Sequence, residues 1–357
     1  MKEKVIVAMS GGVDSSVAAL LLKEQGYDLT ALFMKNWDEN DPYCPQAEDY
    51  DDVRRVADSL DIPHYAVNFS KDYEETVFSH FLEELKKGNT PNPDILCNRE
   101  IKFKKLLHAA KQLGASFLAT GHYAQNIQSE DGSYLLCKGN DPVKDQTYFL
   151  YTLQQEVLSS VLFPIGHMPK QQVREYAKKC NLSTHAKKDS TGICFIGKRN
   201  FARFLKDFIP YNEGDFETLN GKKVGRHHGV AYYTIGQRKG LGLGGEGPPW
   251  FVVGKDIERN VVLVERGENH PALFTSSLTA KELSWVSGRP PPPGISLKAK
   301  IRYRQEEQDC SFLINEDQTL LVTFKEPQRA ITPQQSIVFY DGNICLGGGI
   351  ILKTTNN

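Results

Sequence analysis

Two places in the chain combine residue types that could do covalent chemistry. The first is Ser10-Gly11-Gly12-Val13-Asp14-Ser15-Ser16, between a short apolar run of buried-strand type, Val5–Ala8, and an amphipathic segment, Val17–Leu22. Its two glycines let backbone N–H groups come close to an anion. Ser10, Ser15 and Ser16 add hydroxyl donors, and the start of the following helix favours negative charge. That combination is a phosphate cradle. Asp14 is its odd member, because a carboxylate beside phosphates repels them unless Mg²⁺ lies between. The loop has no Walker lysine, so the cradle is of a different kind. Its strand–loop–helix setting distinguishes it from a capped tight turn. The run Gly240-Leu241-Gly242-Leu243-Gly244-Gly245 spells a dinucleotide motif but leads into Gly247-Pro248-Pro249 rather than a helix, and reads as a plain loop.

The second combination is an acid and two thiols. Asp94 stands three residues before Cys97 in Asn92-Pro93-Asp94-Ile95-Leu96-Cys97-Asn98, ahead of a helix that carries Lys102 and Lys105. A thiol at a helix start near cations is expected to have a lowered pKa. An ordinary thiol, with a pKa of ~8.5, is only a few per cent thiolate at neutral pH. Cys194 follows a polar, glycine-containing stretch, Lys188–Gly192. The two thiols could converge in the fold without metal-ligand spacing. Cys44, Cys137, Cys180, Cys310 and Cys345 read as small buried hydrophobes.

Seven cysteines, odd in number and with no C-x-x-C pair, argue against a disulfide framework or a zinc or iron–sulfur site. No metal ligands are therefore assigned. A reducing compartment, the cytoplasm, is expected. The first strand begins almost at residue 1, so no leader peptide is expected. No window holds the ~20 apolar residues of a membrane span. The net charge of −1 excludes a polybasic chain, yet residues 170–240 hold fifteen Lys and Arg against six Asp and Glu. That stretch is either a surface for phosphates or a solvated charged face.

The elements that must position these groups change character along the chain. Up to about residue 120, strand-like runs (Val5–Ala8, Leu29–Met34, Tyr65–Phe69, Phe117–Thr120) alternate with helical ones (Val17–Leu22, Tyr50–Leu60, Ser70–Lys87, Ile101–Leu113). Gly26, Gly88 and Gly114 stand at helix ends. Repeated βα units predict an α/β domain with a parallel sheet covered on both faces. From Phe201 onward glycine and proline become frequent. Short strands are expected at Val230–Thr234, Trp250–Val253, Val261–Val264, Ser296–Arg304, Ser311–Ile314, Leu320–Phe324 and Ser336–Tyr340. The expected organisation is an ATP-binding catalytic domain over 1–200, a small central domain over 201–275 and a C-terminal β-barrel over 276–357.

The string SGGVDS resembles the PP-loop of the ATP pyrophosphatase superfamily, whose adenine nucleotide alpha hydrolase-like domains split ATP between the α- and β-phosphates. Further strings extend the likeness over nearly the whole chain: MKNWD at Met34–Asp38, TPNPDILCNREIKFK at Thr90–Lys104 and TGHYA at Thr120–Ala124. KDQTYFLY at Lys144–Tyr151, DSTGICFIG at Asp189–Gly197 and YTIGQRKGL at Tyr233–Leu241 complete it. Together they resemble the tRNA-specific 2-thiouridylase family. The resemblance implies ATP with Mg²⁺ at Ala8, Met9, Ser10, Gly11, Gly12, Val13, Asp14, Ser15, Ser16, Met34 and Gly121. It implies a persulfide on Cys194, loaded by a sulfur-donor protein, with Cys97 as catalytic partner and Asp94 as the acid–base group. Contacts to the wobble-uridine tRNA are implied at Asn92, Pro93, Asp94, His122, Lys144, Asp145, Gln146, Arg302, Tyr303 and Gln335. Trp37, Tyr123, Tyr148 and Phe195 are candidate stacking platforms for an unpaired base. Another PP-loop synthetase would have no use for paired thiols. A non-catalytic tRNA binder would need neither the loop nor Asp94.

Overall fold

The structure is a computed structural model that describes residues 2–37, 46–189, 200–292, 295 and 297–355. The chain begins with strand β1 (Lys4–Met9), helix α1 (Val13–Glu24), strand β2 (Asp28–Lys35), helix α2 (Gln46–Ser59) and strand β3 (His64–Asn68). A continuous helical stretch, 70–86, follows, and a second spans 93–112. Then come β4 (Phe117–Thr120), the hairpin β5 (Ala124–Gln128) and β6 (Tyr134–Lys138), β7 (Val161–Leu162) and a helix at Lys170–Lys179.

β3, β2, β1, β4 and β7 form a parallel sheet in that order. β1 is apolar on both sides because helices cover both faces. Val5, Val7 and Met9 meet Val17 of α1, Val53 and Val56 of α2, and Val173. Ile6 points the other way, to Phe103 and Leu106. Each such large side chain, fully buried, stabilises by about 1.5–3 kcal/mol. The strand order reverses between β1 and β4, and in open α/β sheets ligands bind beyond the carboxyl ends at such a switch point.

The central unit is a four-stranded sheet of β8 (Gly214–Glu217), β9 (Lys223–His227), β10 (Trp250–Asp256) and β11 (Val261–Arg266). Its order is β10-β11-β8-β9. The strand expected at Val230–Thr234 is instead a short 3₁₀ turn at Val230–Tyr232, entered through Gly229 at φ +128°. Val230 and Tyr233 are buried in this unit, while Ala231 faces the cluster around Cys97. A chain that must bury side chains in two directions there cannot stay flat.

The last strands are β12 (Phe274–Trp285), β13 (Leu297–Lys300), β14 (Gln308–Ile314), β15 (Leu320–Arg329), β16 (Ser336–Asp341) and β17 (Ile344–Thr355). β12 pairs with both β15 and β17, which closes the barrel on itself. β17 also pairs with β6, placing Ile344 against Cys137 and Cys345 against Leu136. The β5–β6 hairpin of the N-terminal region therefore extends the barrel sheet, a join that the sequence reading did not include. Tyr340 and Cys345 of the barrel share one apolar cluster with Leu118 and Val161 of the parallel sheet. No helix of the described residues is long and apolar enough to cross a membrane.

Candidate active site at the switch point

β1 ends at Met9, and the next residues wrap the start of α1. The Ser10 N–H donates to Ser15 Oγ at 3.2 Å, and the Ser15 and Ser16 hydroxyls donate back to the Gly12 carbonyl at 3.2 and 2.9 Å. Gly12, at the helix N-cap, has no side chain to satisfy the first-turn N–H groups, which leaves donors for an anion. Two glycines are required by space. Gly11 sits at φ +73°, and a Cβ there would lie 2.4 Å from the Asp49 carbonyl oxygen. Gly121, just past β4, would push a Cβ to 2.6 Å from the Ser15 nitrogen. The end of β4 is thus in contact with the first turn of α1 at the switch point.

The Asp14 carboxylate is already occupied. Lys170 Nζ reaches both of its oxygens at 2.7 Å, and the Tyr123 hydroxyl donates to Oδ1 at 2.6 Å. Burial and then the Asp14 charge push the Tyr123 pKa up, so this phenol stays a neutral donor. Lys170 also bridges to Asp189 at 2.8 Å, which in turn binds Lys144 at 2.6 Å and Arg174. Burial alone would raise the Asp189 pKa, but hydrogen bonds and charge from Lys144 and Lys170 outweigh it and hold the carboxyl well below its usual range. Asp141, which accepts from the Lys170 and Lys144 backbone N–H groups, adds a third carboxylate, so three cations and three carboxylates interlock beside the Ser10–Ser16 loop. Nothing in the sequence near Asp14 marks Lys170 as its partner. The only hint was its place at the head of the basic stretch.

The second group sits on the helical stretch 93–112. Asn92 caps it by accepting from the Asp94 N–H at 3.1 Å, and Pro93 occupies the first turn, where no N–H is needed. Cys97 therefore lies inside the helix rather than at its start, and only 6% of it is exposed. Its neighbours include Phe78, Phe81, Leu96 and Phe204. Burial pushes the thiol up to about 11; Lys102 opposes this and Asp94 adds to it. The expected lowering is corrected here, because desolvation outweighs the local cation. Burial likewise raises the Asp94 pKa, with Lys102 opposing. His122, buried beside Phe103 and Phe163, bonds Thr120 Oγ1 at 2.6 Å. Burial and then Lys102 hold its pKa well below the ordinary value, so it is neutral. Met34, near the end of β2, packs against the clusters on both sides of this site.

Cys194 and Phe195 lie outside the described residues, as does Asp38. The residues expected at tRNA fall into two sets. Asn92, Pro93 and Asp94 lie where three units meet. Gln335 of the barrel donates to the Thr90 carbonyl at 2.6 Å, and the Thr90 hydroxyl lies 3.3 Å from that of Thr234. The others carry intramolecular contacts. Asp145 is buried and accepts from Thr147 and the Gly139 N–H, and Gln146 accepts from the Tyr123 N–H at 2.9 Å. Arg302 donates to the carbonyls of Ile235 and Ala330, joining the barrel to the central unit. Tyr303 packs against Phe149 with ring centres 4.4 Å apart and planes tilted by 51°. Tyr123 and Tyr148 are buried and cannot serve as open stacking platforms. In the basic stretch, Lys187 is bound to Asp49 at 2.6 Å and to Asp52 at 2.5 Å, while Lys188 is exposed.

Three family models cover the chain. One described as the tRNA methyl transferase HUP domain matches residues 3–198, one described as the tRNA methyl transferase PRC-barrel domain matches 202–266, and one described as the aminomethyltransferase β-barrel domain matches 275–351. Among similar curated proteins, the tRNA-specific 2-thiouridylase MnmA of Protochlamydia amoebophila is 59% identical over 98% of this chain and 93% of its own. The protein of the same name from Alkaliphilus oremlandii is 55% identical over 98% of this chain and 96% of its own. A solved structure of the U34-tRNA thiolase NcsA from Methanococcus maripaludis aligns with 58% of this chain and 67% of its own, at 20% identity and a TM-score of 0.37. A glycine-walled cradle, an adjacent Asp–Cys pair and full-length identity above one half place this chain in the tRNA-specific 2-thiouridylase family.

Proposed function

We propose that the protein is an ATP-dependent tRNA-uridine 2-sulfurtransferase of the cytoplasm, acting on the wobble uridine. One observation carries the reading. The glycine at 121 is set against the Ser15 backbone of the Ser10–Ser16 loop, and the next residue, His122, packs its ring against Phe103 of the helical stretch that carries Asp94 and Cys97, with ring centres 5.7 Å apart. That contact supports a reading in which an anion-binding loop and an acid–thiol pair work at one end of the sheet.

The chemistry explains the need for both. Carbon 2 of uracil is a urea-like carbonyl and a poor electrophile, with no viable leaving group. Attack of its oxygen on the α-phosphorus of ATP forms an O–P bond and expels pyrophosphate, for which the Ser10–Ser16 donors supply a site. Sulfur then adds to carbon 2, and AMP departs with the former oxygen. The sulfur comes from a persulfide on Cys194, delivered by a donor protein. In one route the Cys97 thiolate attacks the inner sulfur of Cys194, forming a disulfide and releasing hydrosulfide. The disulfide then takes two electrons from an external thiol reductant before the next turnover. In the other route the Cys97 thiolate adds to carbon 2 and expels AMP, the outer sulfur of the Cys194 persulfide displaces Cys97, and the freed Cys97 thiolate attacks the Cys194 sulfur, breaking the S–S bond to release the 2-thiouridine and form the same disulfide. Asp94, whose burial favours the protonated form, handles the proton.

Mg²⁺ would arrive with the triphosphate and neutralise part of its charge. Asp14 is the nearest carboxylate in the cradle, but Lys170 and Tyr123 already hold it. Among the described residues, no group of three or more His, Cys, Asp or Glu side chains is placed to hold a metal. The described residues do not form a cage for the ion.

A single-turnover assay with ATP, a sulfide source and wobble-uridine tRNA tests the reading. It should give one oxygen-to-sulfur exchange at that uridine, dependent on ATP. Cleavage to AMP without sulfur incorporation would remove the sulfur step. The tRNA surface has its own test. Lys188→Glu should weaken tRNA binding and lower its salt slope by about one, with an unchanged melting temperature. Lys187→Glu should instead lower the melting temperature, because Asp49 and Asp52 lose their shared cation. Unaltered binding in Lys188→Glu returns that exposed lysine to the solvated face.

A further inference from the structure

The helical stretch that carries Asp94 and Cys97 is not regular. From Cys97 to Leu106 it is π-helical, with each turn closed between residues five apart. In an α-helix, at 3.6 residues per turn, a residue five positions on lies roughly 140° around the axis. A π-turn brings it back to the same side. The widened turn thus places Lys102 beside Cys97, and Asn98 one turn behind Lys102.

The contacts agree. Lys102 Nζ donates to Asn98 Oδ1 at 3.0 Å, and Asn98, 3% exposed, donates its amide to the Phe149 carbonyl at 3.1 Å. The ammonium is held in place by a neutral amide, and among the described residues it has no carboxylate within ion-pair distance. Among the described residues this half-buried cation has no counter-ion, which leaves its charge available to an anion that forms nearby. The groups around Cys97 are few: Lys102 and Asp94 are the charges that bear on it, the Tyr73 phenol lies in the same cluster, and the other walls, Val77, Phe78, Phe81, Phe204 and Ala231, are apolar. His122, neutral through burial and then the Lys102 charge, packs against Phe103 of the same stretch.

Resting on the function proposed above, we propose that Lys102 is the positioning residue that supports negative charge on the Cys97 sulfur, and that the π-helical turn exists to put it there. Lys102 acts through Cys97 rather than on the substrate. Burial makes the thiolate rare, and among the described residues Lys102 is the positive charge that bears on it. The cation also biases Asp94 toward its ionised form, so one lysine sets the proton balance of both groups.

The test reads the Cys97 thiol directly, without turnover. Full-length protein is alkylated with iodoacetamide across pH 7 to 11, and labelling of the Cys97 peptide is followed by mass, with the Cys180 peptide as internal control. Lys102→Gln keeps a donor for Asn98 but removes the charge, whereas Lys102→Arg keeps the charge. Lys102→Gln should label Cys97 about tenfold more slowly at pH 8, since one pKa unit is a factor of ten in thiolate, with Cys180 unchanged. Lys102→Arg should restore the wild-type profile. A Lys102→Gln profile at Cys97 that matches wild type overturns the proposal, as does equal slowing in both variants. Neither result touches the sulfurtransferase reading, which fails separately if Cys97→Ser still thiolates tRNA.

Discussion

Gly121→Ala should cost the protein its ATP chemistry while sparing its affinity for tRNA. The added methyl would sit 2.6 Å from the Ser15 nitrogen, 2.8 Å from the Asp14 carbonyl carbon and 3.0 Å from Ser15 Cα. All three are backbone atoms of the first turn of α1, so no side chain can swing aside. Either β4 or the start of α1 must shift. Overpacking of this kind costs about 1–3 kcal/mol in stability, which an enzyme of this size survives. The catalytic effect is larger, because a displacement of roughly 1 Å in a positioning group can cost 10²-fold in rate. Pyrophosphate release in a single turnover should fall about a hundredfold, with tRNA binding nearly unchanged. Gly11→Ala meets the Asp49 carbonyl and must also hold a left-handed backbone, so it should be at least as severe. Normal pyrophosphate release from Gly121→Ala would place the nucleotide elsewhere.

Cys97→Ser should separate the two half-reactions. Adenylation needs no thiol, so pyrophosphate release should persist, and sulfur incorporation should fall to background. The pH profile carries the same point with a definite sign. The Cys97 thiol is pushed up to about 11 by burial, with Lys102 opposing, and the reactive species is the thiolate. Between pH 7 and 10 the thiolate fraction, and with it the single-turnover rate of sulfur transfer, should rise roughly tenfold per pH unit. Where Asp94 takes a proton as base it must be ionised, so its pKa, raised by burial, should add a fall in rate on the acid side, beginning at a higher pH than an ordinary aspartate would show. A rate flat from pH 7 to 10 in wild-type protein would mean that Cys97 does not ionise in the slow step.

The burial of Cys97 also shows where local reading stops. Pro93 and Asn92 start the helix one turn before the thiol, and that start is written in the residues themselves. The direction in which the thiol then points depends on Phe78, Phe81 and Phe204, which come from other parts of the chain. A helix-start argument predicts a lowered pKa, and desolvation by these distant rings reverses it. Tyr123 and Tyr148 follow the same logic, as aromatic residues in polar strings that the fold turns inward.

The turn geometry of the Ser10–Ser16 loop was legible because its parts are consecutive. Seven residues, two glycines and a helix start determine its donors, and no distant residue is needed to make them converge. The alternation of strands and helices was legible for the same reason, since periodicity and end signals act over a few residues. Tertiary structure alone decided the pairings. Lys170 reaches Asp14 across 156 residues of sequence, Tyr123 reaches it across 109, and the β5–β6 hairpin joins a strand at the far end of the chain. Sequence specifies which groups can bind an anion or carry sulfur. Only the packed fold determines which charges stand beside them and how much water remains, because both depend on contacts between segments that share no local signal.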